Sequence, residues 1–311
     1  MISKIIQQYL SPQLQNKIQS FSLPGFEGIP LADVVTMFRV EIKRDALGVR
    51  ASSISFFFIL AMFPSIIFFF SLIPYIPIPN VDRTIFDYLQ KVLPTPVYFV
   101  LQSTISDIIS IQRGGLTSIN FLMALIFSLN GVTSMMQVFD KINAIHQKRG
   151  FWAKRFAAFK ITVLMSIQLI VAMALIVVGE QYIKELLFTI GIQNKFVVSI
   201  ILFLKFLALI FIFLNTIALI YYYGPSVKER YKFYSPGATF ATLLMLLLSY
   251  ILKWYFAYFH NFNKLYGSLG IVLVVMLWVY FNAFVLLFGY ELNNSIALNK
   301  KLKASPIEDD F

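Results

Sequence analysis

Apolar residues are concentrated in six long runs, separated by shorter stretches that hold most of the charges and prolines. Each run supplies the roughly 20 mostly apolar residues that a helix needs to cross the hydrocarbon core of a bilayer. The runs are 53–76, 116–137, 158–179, 197–220, 236–257 and 269–290. The pattern therefore predicts an all-α, polytopic membrane protein with six transmembrane helices in a membrane domain at 53–291. The first run starts too far into the chain for a removable signal peptide, so it is expected to be retained.

A further helix is predicted ahead of the first run, within an N-terminal cytoplasmic segment at 1–52. Its apolar residues recur at helical spacing, with charged residues on the other faces. The apolar positions are Leu31, Val34, Val35, Phe38 and Ile42, and the charged ones are Asp33, Arg39, Lys43 and Arg44. Two placements are open. The helix lies in the interface of the inner leaflet, or it packs under the bundle as a cap.

Prolines shape two other predictions. Between the first two runs, the segment 79–113 holds two apolar-periodic pieces around Leu93-Pro94-Thr95-Pro96, where a helix cannot continue. Two short amphipathic helices are therefore expected on the outer leaflet, either as a packed lid or as a gate over a cavity. Within the first run, Pro64 removes a backbone hydrogen bond, which predicts a kink near Leu60.

Lys and Arg residues outside the runs lie mainly on alternate loops. They are frequent in 1–52, 138–157, 221–235 and the tail at 292–311, and sparse in the intervening segments. Because cytoplasmic loops collect these residues, both termini should face the cytoplasm. An even number of spans requires the same arrangement.

Composition supports the membrane assignment. Of 311 residues, 59% are hydrophobic and 13% are charged, which excludes a water-soluble globule. Cysteine is absent, so no disulfide or thiolate site exists. The net charge of +11 follows the loop asymmetry that insertion requires, so anionic membrane lipids are expected as partners and nucleic acid is not.

The spans offer little chemistry. No Asp or Glu lies well inside a run, and Asp140, Glu180 and Glu291 are at run ends, which disfavours a proton-coupled carrier. No phosphate-binding loop of an ATPase is present. His146 and His260 fall on opposite sides of the membrane, so zinc is not expected. We therefore expect no enzyme and no cofactor.

Polar residues within the runs allow two readings. Lys205 and Lys253 fall in the outer halves of the fourth and fifth runs, where each either extends to outer headgroups or provides a cationic contact for a lipid phosphate in a cavity. Uncharged polar residues are spread over several runs and are expected to form hydrogen bonds between helices. They include Asn120, Ser128, Asn130, Gln168, Asn215, Thr216 and Asn282.

Four blocks of sequence carry a resemblance. They are Arg50-Ala51 with Phe56-Phe57-Phe58 and Phe63-Pro64; Asn143 with Arg149-Gly150-Phe151-Trp152 and Arg155; Tyr222 and Pro225 with Pro236-Gly237-Ala238; and Tyr266-Gly267-Ser268-Leu269-Gly270 with Leu277-Trp278-Val279-Tyr280 and Gly289-Tyr290-Glu291-Leu292-Asn293. Together they resemble the YihY family, also called the virulence factor BrkB family, of six-span bacterial inner-membrane proteins.

The resemblance implies a multi-pass protein of the bacterial inner (plasma) membrane that assists transport or export of phospholipid or related envelope amphiphiles, without its own ATP hydrolysis. The family has no agreed activity and no established catalytic residues. A non-transporting scaffold for envelope-assembly proteins is the alternative, and a small-solute or ion exporter is a third reading. Some members carry a ribonuclease label, which no acid/base pair or metal-binding set of acids in this sequence supports.

Candidate residues follow from these patterns. Candidate lipid or anion contacts are Lys205, Lys253, Arg50, Arg149 and Arg155. Candidate structural residues are Pro64, Asn143, Trp152, Pro236, Gly237, Tyr266, Gly267, Gly270, Trp278 and Glu291. Of these, Glu291 is expected to pair with Arg50 or Arg155 at the cytoplasmic end of the last span, and Tyr266 and Tyr290 are expected in the interfacial aromatic belts.

Overall fold

The structure is a computed structural model. It describes residues 21–44, 46–71, 114–142, 149–177, 195–227, 230–258 and 269–304, together with the single positions 86, 102 and 189. All regular elements within these ranges are α-helices. The all-α prediction is therefore confirmed for the part of the chain that is described. The outer segment at 79–113, apart from two positions, and the residues Asn143, Tyr266 and Gly267 lie outside it.

Seven helices make up this part of the chain. They are α1 (Leu31–Arg44), α2 (Leu47–Ser71), α3 (Gly114–Ile142), α4 (Phe151–Val177), α5 (Lys195–Tyr223), α6 (Pro236–Tyr258) and α7 (Leu269–Ala304). Each predicted run overlaps one of the helices α2 to α7, with ends that differ by several residues, and positions 72–76 of the first run lie outside the described residues. The last helix differs from its run because it continues through the predicted tail as far as Ala304.

Four of the helices are long and apolar enough to cross a membrane. Their qualifying stretches are Phe121–Ile142, Phe151–Ala172, Phe196–Tyr223 and Val272–Lys303. Leu31–Lys43 and Leu47–Met62 would add a fifth if counted as one broken span, and Pro236–Leu252 is a shorter apolar helix. A multi-pass membrane protein is therefore supported, whereas the count of six spans stays a prediction.

The chain divides into two compact units. The first contains Met1–Leu47, Met136–Met245 and Val285–Phe311, and the second contains Gly48–Met135 and Leu246–Phe284. Helices α1, α4 and α5 belong to the first unit, whereas α2, apart from its first residue, belongs to the second. The remaining helices contribute to both.

In the first unit, α1 packs against the last part of α7. Val34 is fully buried in a cluster with Phe26, Ile29 and Ile296, and Phe38 meets Phe288 edge to face at 4.7 Å between ring centroids. Glu27 pairs with Lys300 at 2.6 Å, just ahead of α1. Packing of α1 against α7 is therefore present, whereas its position as a cap under the bundle stays a prediction. A location at the inner leaflet stays a prediction.

In the second unit, small residues allow α2 and α3 to approach closely. The hydroxyls of Ser53 and Ser134 are 3.4 Å apart, and a Cβ added to Gly131 would lie 3.8 Å from the backbone of Phe57. Arg50 is half-buried on α2. The helix continues through Pro64 to Ser71, and the expected kink near Leu60 stays a prediction.

Candidate functional site

The start of α6 is fixed by a serine cap followed by proline and glycine. The Ser235 hydroxyl accepts a hydrogen bond from the amide of Ala238 at 3.3 Å, which satisfies one of the free N–H groups of the first turn. Pro236 occupies the first helical position, where its missing N–H costs nothing. The start of α6 is therefore explained by three adjacent residues, Ser235, Pro236 and Gly237, and can be predicted from the sequence.

Asn293 of α7 joins this cap to the last helix. Its side-chain oxygen accepts from the Gly237 amide at 2.8 Å, and its side-chain nitrogen donates to the Ser235 hydroxyl at 2.8 Å. A Cβ on Gly237 would lie 2.1 Å from the carbonyl oxygen of Gly289, which is far inside van der Waals contact. Glycine is required here because the two helix backbones nearly touch. Sequence analysis singled out Gly237 but gave Asn293 no role.

Three buried aromatic rings lie beside this contact. Tyr221 donates its hydroxyl proton to the carbonyl of Leu286 at 2.5 Å, and Phe139 stacks on Tyr290 at 4.2 Å. Phe139 also meets Tyr221 at 5.9 Å. All three side chains are fully buried. Tyr290 was expected in an interfacial belt, and that expectation is wrong because its ring packs inside the first unit.

Glu291 is fully buried next to these rings. It accepts a hydrogen bond from Asn294 at 3.3 Å, within a face of α7 that also holds Ser295 and Asn299, both buried. Sequence analysis placed Glu291 at the end of a span, where an acid can reach water. The helix instead continues to Ala304, so this acid is enclosed. The expected pairing of Glu291 with Arg50 or Arg155 stays a prediction.

Tyr231, in the loop before α6, interacts electrostatically with Glu291. Burial of its phenolic group raises the pKa of Tyr231 above its ordinary value; its hydrogen bond with Tyr290 acts in the opposite direction, and the charge of Glu291 raises the pKa further. The phenol is therefore neutral throughout the physiological range. We refer to Tyr221, Tyr231, Gly237, Tyr290, Glu291 and Asn293 as the buried polar knot.

Arg149 closes the other side of the same loop. Its guanidinium donates to the carbonyls of Tyr223 at 3.3 Å, Gly224 at 3.2 Å and Pro225 at 2.8 Å. These oxygens belong to the end of α5, where carbonyls lack partners in the helix and the helix dipole is negative. Partial burial lowers the pKa of Arg149, Asp140 raises it, and Arg230 lowers it. Arg149 therefore acts as a helix cap, a role that sequence analysis did not identify because its partners are backbone atoms.

Asp140 connects this cap to α4. One carboxylate oxygen accepts the amide proton of Ser226 at 2.9 Å, and the other lies 3.7 Å from the ammonium of Lys154. The loop after α5 is thus held from two sides, by a cation on its carbonyls and by an anion on its amide.

Cations and aromatic rings face each other where the third turn of α4 meets the C-terminal end of α5. The Lys160 ammonium lies 4.1 Å from the ring centroid of Tyr223, and the Arg230 guanidinium lies 5.0 Å from that of Tyr222. Both distances are in the range of cation–π attraction. We call Lys160, Arg230, Tyr222 and Tyr223 the cation–aromatic cluster. Lys160 and Arg230 are exposed, so each charge remains available to a ligand.

The first turns of α4 extend this surface. Trp152 is 81% exposed, and Phe151 and Phe156 are largely exposed as well. Arg155 is half-buried, with its guanidinium 5.7 Å from the ring centroid of Phe151. Trp152 was expected to be a structural residue, yet its exposure leaves most of the indole without protein contacts. Indole rings in such positions favour the headgroup region of a membrane.

The other predicted site residues are dispersed. Lys205 is half-buried on α5, and Trp278 is 46% exposed on α7. Lys253 and Gly270 lie in α6 and α7, but their surroundings are outside the described part of the structure, as is the side chain of Pro64. Within the first unit, Lys205 precedes Tyr223, whose carbonyl Arg149 binds, by 18 residues or about 27 Å along α5, so these two candidates do not share one site.

Comparison with known proteins identifies the family. The sequence profile described as Virulence factor BrkB matches residues 38–309. A Bacillus subtilis (strain 168) protein, named as a ribonuclease-like protein, YfkH, is 25% identical over 253 residues, which cover 81% of this chain and 91% of that protein. No solved structure matches. The matched region contains nearly all of the helices described above, and the chain is a member of the virulence factor BrkB family.

Proposed function

We propose that this protein assists the movement of phospholipid or related envelope amphiphiles across or out of the bacterial inner (plasma) membrane, without hydrolysing ATP itself. The observation that carries the proposal is the cation–aromatic cluster. Its two cations are exposed and lie over tyrosine rings at the C-terminal end of α5, one of the helices apolar enough to cross a membrane. A lipid phosphate is the anion found at that depth of a membrane.

The helix surfaces next to the cluster favour lipid as the ligand. Helix α5 is apolar over Phe196–Tyr223, and no residue of it from Phe196 to Thr216 is buried within the protein, whereas the last turns from Ile217 to Tyr221 are buried. Its exposed side chains include Phe203, Phe206 and Phe211. Such a surface is stable only in contact with acyl chains or another apolar partner. An amphiphile held by its phosphate at the cluster would therefore keep its chains against α5.

Lipid flux in reconstituted vesicles tests the proposal. The purified full chain is inserted into vesicles that contain fluorescent phosphatidylglycerol in both leaflets, and dithionite then bleaches the outer leaflet. We expect bleaching beyond the outer-leaflet half, at a rate above that of protein-free vesicles. Equal rates with and without protein would contradict the proposal.

A charge-neutral variant tests the cluster itself. The double variant Lys160→Gln, Arg230→Gln removes both cations, and we expect the flux of anionic phosphatidylglycerol to fall by about fivefold, with a smaller effect on zwitterionic phosphatidylcholine. Lys301→Gln is the matched control, because Lys301 is an exposed cation at the end of α7. Equal loss in the control variant would show that net charge, and not the cluster, controls the flux.

A scaffold for envelope-assembly proteins is the second candidate. It is supported by the buried polar knot, which joins α5, α6 and α7, and by Phe139 of α3, which stacks on Tyr290 of the knot. These contacts favour a rigid unit. The same flux assay separates the two candidates, because a scaffold leaves the flux at the level of empty vesicles. A small-solute or ion exporter is the third candidate and predicts solute efflux without lipid flux.

We propose no catalytic activity. The family description names no reaction, and the name of the Bacillus relative describes that protein alone. Within the described ranges, no three His, Asp or Glu side chains are grouped as a metal site. Purified protein is expected to leave labelled RNA intact, and cleavage above that of a mock purification would contradict this expectation.

A further inference from the structure

Helices α4 and α5 are joined by polar contacts at two depths. Near one end, the Lys160 ammonium lies over the ring of Tyr223. Further along, the Thr216 hydroxyl is hydrogen-bonded to the side-chain amide of Gln168. We call the line of contact that these residues mark, together with Lys205, the α4–α5 seam.

The spacing of these residues places them on one face of α5. Thr216 precedes Tyr223 by two helical turns, and Lys205 precedes Thr216 by three turns. At 1.5 Å per residue, the three positions extend over about 27 Å, close to the thickness of the hydrocarbon core of a bilayer. Polar groups therefore occur at the C-terminal end of α5, two turns inside it, and again at Lys205, ten residues after the start of the helix, all along one face.

The seam lies at the surface of the helix pair. Gln168 and Thr216 are half-buried, and the residues next to Gln168 in the chain, Ile167 and Leu169, are exposed. On α5, Phe211 is exposed in the same way. A hydrogen bond that only joins two helices needs no exposure and can be fully buried. The bond between Gln168 and Thr216 is partly exposed, so a molecule outside the helix pair can reach it.

Gln168 also has unused hydrogen-bonding capacity. The Thr216 hydroxyl is bonded both to the side-chain amide of Gln168 and, at 2.9 Å, to the carbonyl of Ile212, although it has a single proton. Whichever group receives that proton, at least one N–H of the Gln168 amide has no acceptor among the described residues. An amide N–H left without an acceptor in hydrocarbon is unfavourable. A phosphate oxygen or an ester carbonyl of a lipid would supply the missing acceptor.

We propose that the α4–α5 seam is the path along which a phospholipid headgroup crosses the apolar core, with the acyl chains remaining in the surrounding bilayer. This inference rests on the proposed function and adds the route to it. The cation–aromatic cluster receives the phosphate at one end, the Gln168–Thr216 pair supplies hydrogen bonds at mid-depth, and Lys205 supplies a cation in the opposite half of the span.

The natural absence of cysteine makes the seam directly testable. Gln168→Cys places a thiol on the seam. Ser166→Cys is the matched control, because Ser166 is exposed two residues earlier on α4 and therefore points to a different side of the helix. Each full-length variant is reconstituted, its lipid flux is measured, and the same vesicles are measured again after reaction with a bulky, membrane-impermeant methanethiosulfonate reagent and after its removal by dithiothreitol.

We expect the reagent to modify the Gln168→Cys protein and to reduce its flux by about fivefold or more, because the bulky adduct obstructs the route. Dithiothreitol should restore the flux, which excludes misfolding as the cause. Modified Ser166→Cys should retain its flux. A Gln168→Cys thiol that does not react, or that reacts without loss of flux, overturns the seam while the proposed function stands. Wild-type flux equal to that of empty vesicles overturns both.

Discussion

At the scale of single residues, backbone contact determines which substitutions the first unit tolerates. Gly237 and Gly289 bring α6 and α7 so close that neither has space for a methyl group: a Cβ on Gly289 would lie 2.6 Å from that of Ala241 and 2.7 Å from the Tyr221 hydroxyl. Side chains at the contact normally hold the axes of two packed helices roughly 8–10 Å apart. Glycine has no side chain and so permits a closer approach.

Gly237→Ala is therefore expected to lower the stability of the protein by about 3 kcal/mol or more, because backbone atoms must move to admit the methyl group. Thermal unfolding in detergent, followed by circular dichroism, measures the change. Gly150→Ala is the matched control, since no heavy atom lies within 4 Å of its Cβ position. Equal unfolding temperatures for wild type and Gly237→Ala would show that the helices do not meet as described.

The cap on α5 gives a second prediction. Arg149→Lys keeps the charge but cannot donate to three carbonyls in the same geometry, so we expect a loss of about 1–2 kcal/mol in stability. Arg39→Lys, an exposed position on α1, is the control and should have almost no effect. Hydrogen exchange of the amides in 219–227 should accelerate in the Arg149 variant alone. Unchanged exchange there would contradict the capping role.

At the scale of elements, α1 is held on α7 mainly by apolar burial. Its ion pairs are partly exposed, such as Lys303 with Asp33 at 3.2 Å, and pairs of this kind contribute about 0–1 kcal/mol. Val34 is fully buried, whereas Val35 is 36% exposed on another face. Substituting these two neighbouring valines in turn therefore compares the loss of a buried side chain with the loss of an exposed side chain of the same type.

Val34→Ala should weaken the docking of α1 by about 1–3 kcal/mol, because it leaves a cavity among Phe26, Ile29 and Ile296. Val35→Ala should have little effect. The measurement is hydrogen exchange across 31–44, which rises if the helix undocks more often. The wild-type protein in 1 M salt is the comparison. If its exchange across 31–44 is faster than that of Val34→Ala at low salt, ion pairs and not apolar burial hold α1 on α7, which would contradict this account.

At the scale of the whole molecule, the distribution of charge predicts the topology. Both termini should face the cytoplasm and the chain should cross the membrane six times. Single cysteines introduced near each terminus of the cysteine-free chain should react with an impermeant maleimide only after the cytoplasmic face is exposed. Reaction of the two termini from opposite faces would require an odd number of crossings and would contradict the predicted fold.

The sequence by itself predicted the helices more fully than their environments. Apolar runs located α2 to α7, because hydrophobicity over 20 residues is a property of composition alone. The position of Glu291 was predicted less well. A run ends where polar residues begin, whereas the helix continues because Glu291, Asn294 and Ser295 lie on a face that the first unit buries. Burial of a polar residue depends on its neighbours in space.

Two kinds of property are thus separable in this protein. Membrane residence, helix positions, the absence of thiol chemistry and the start of α6 at Ser235-Pro236-Gly237 follow from the sequence, because each depends on composition or on a few adjacent residues. The roles of Arg149, Asn293 and the Gln168–Thr216 pair were decided only by the tertiary structure. Their partners are backbone carbonyls or residues 48 or more positions away, and those distances are set by how the helices pack.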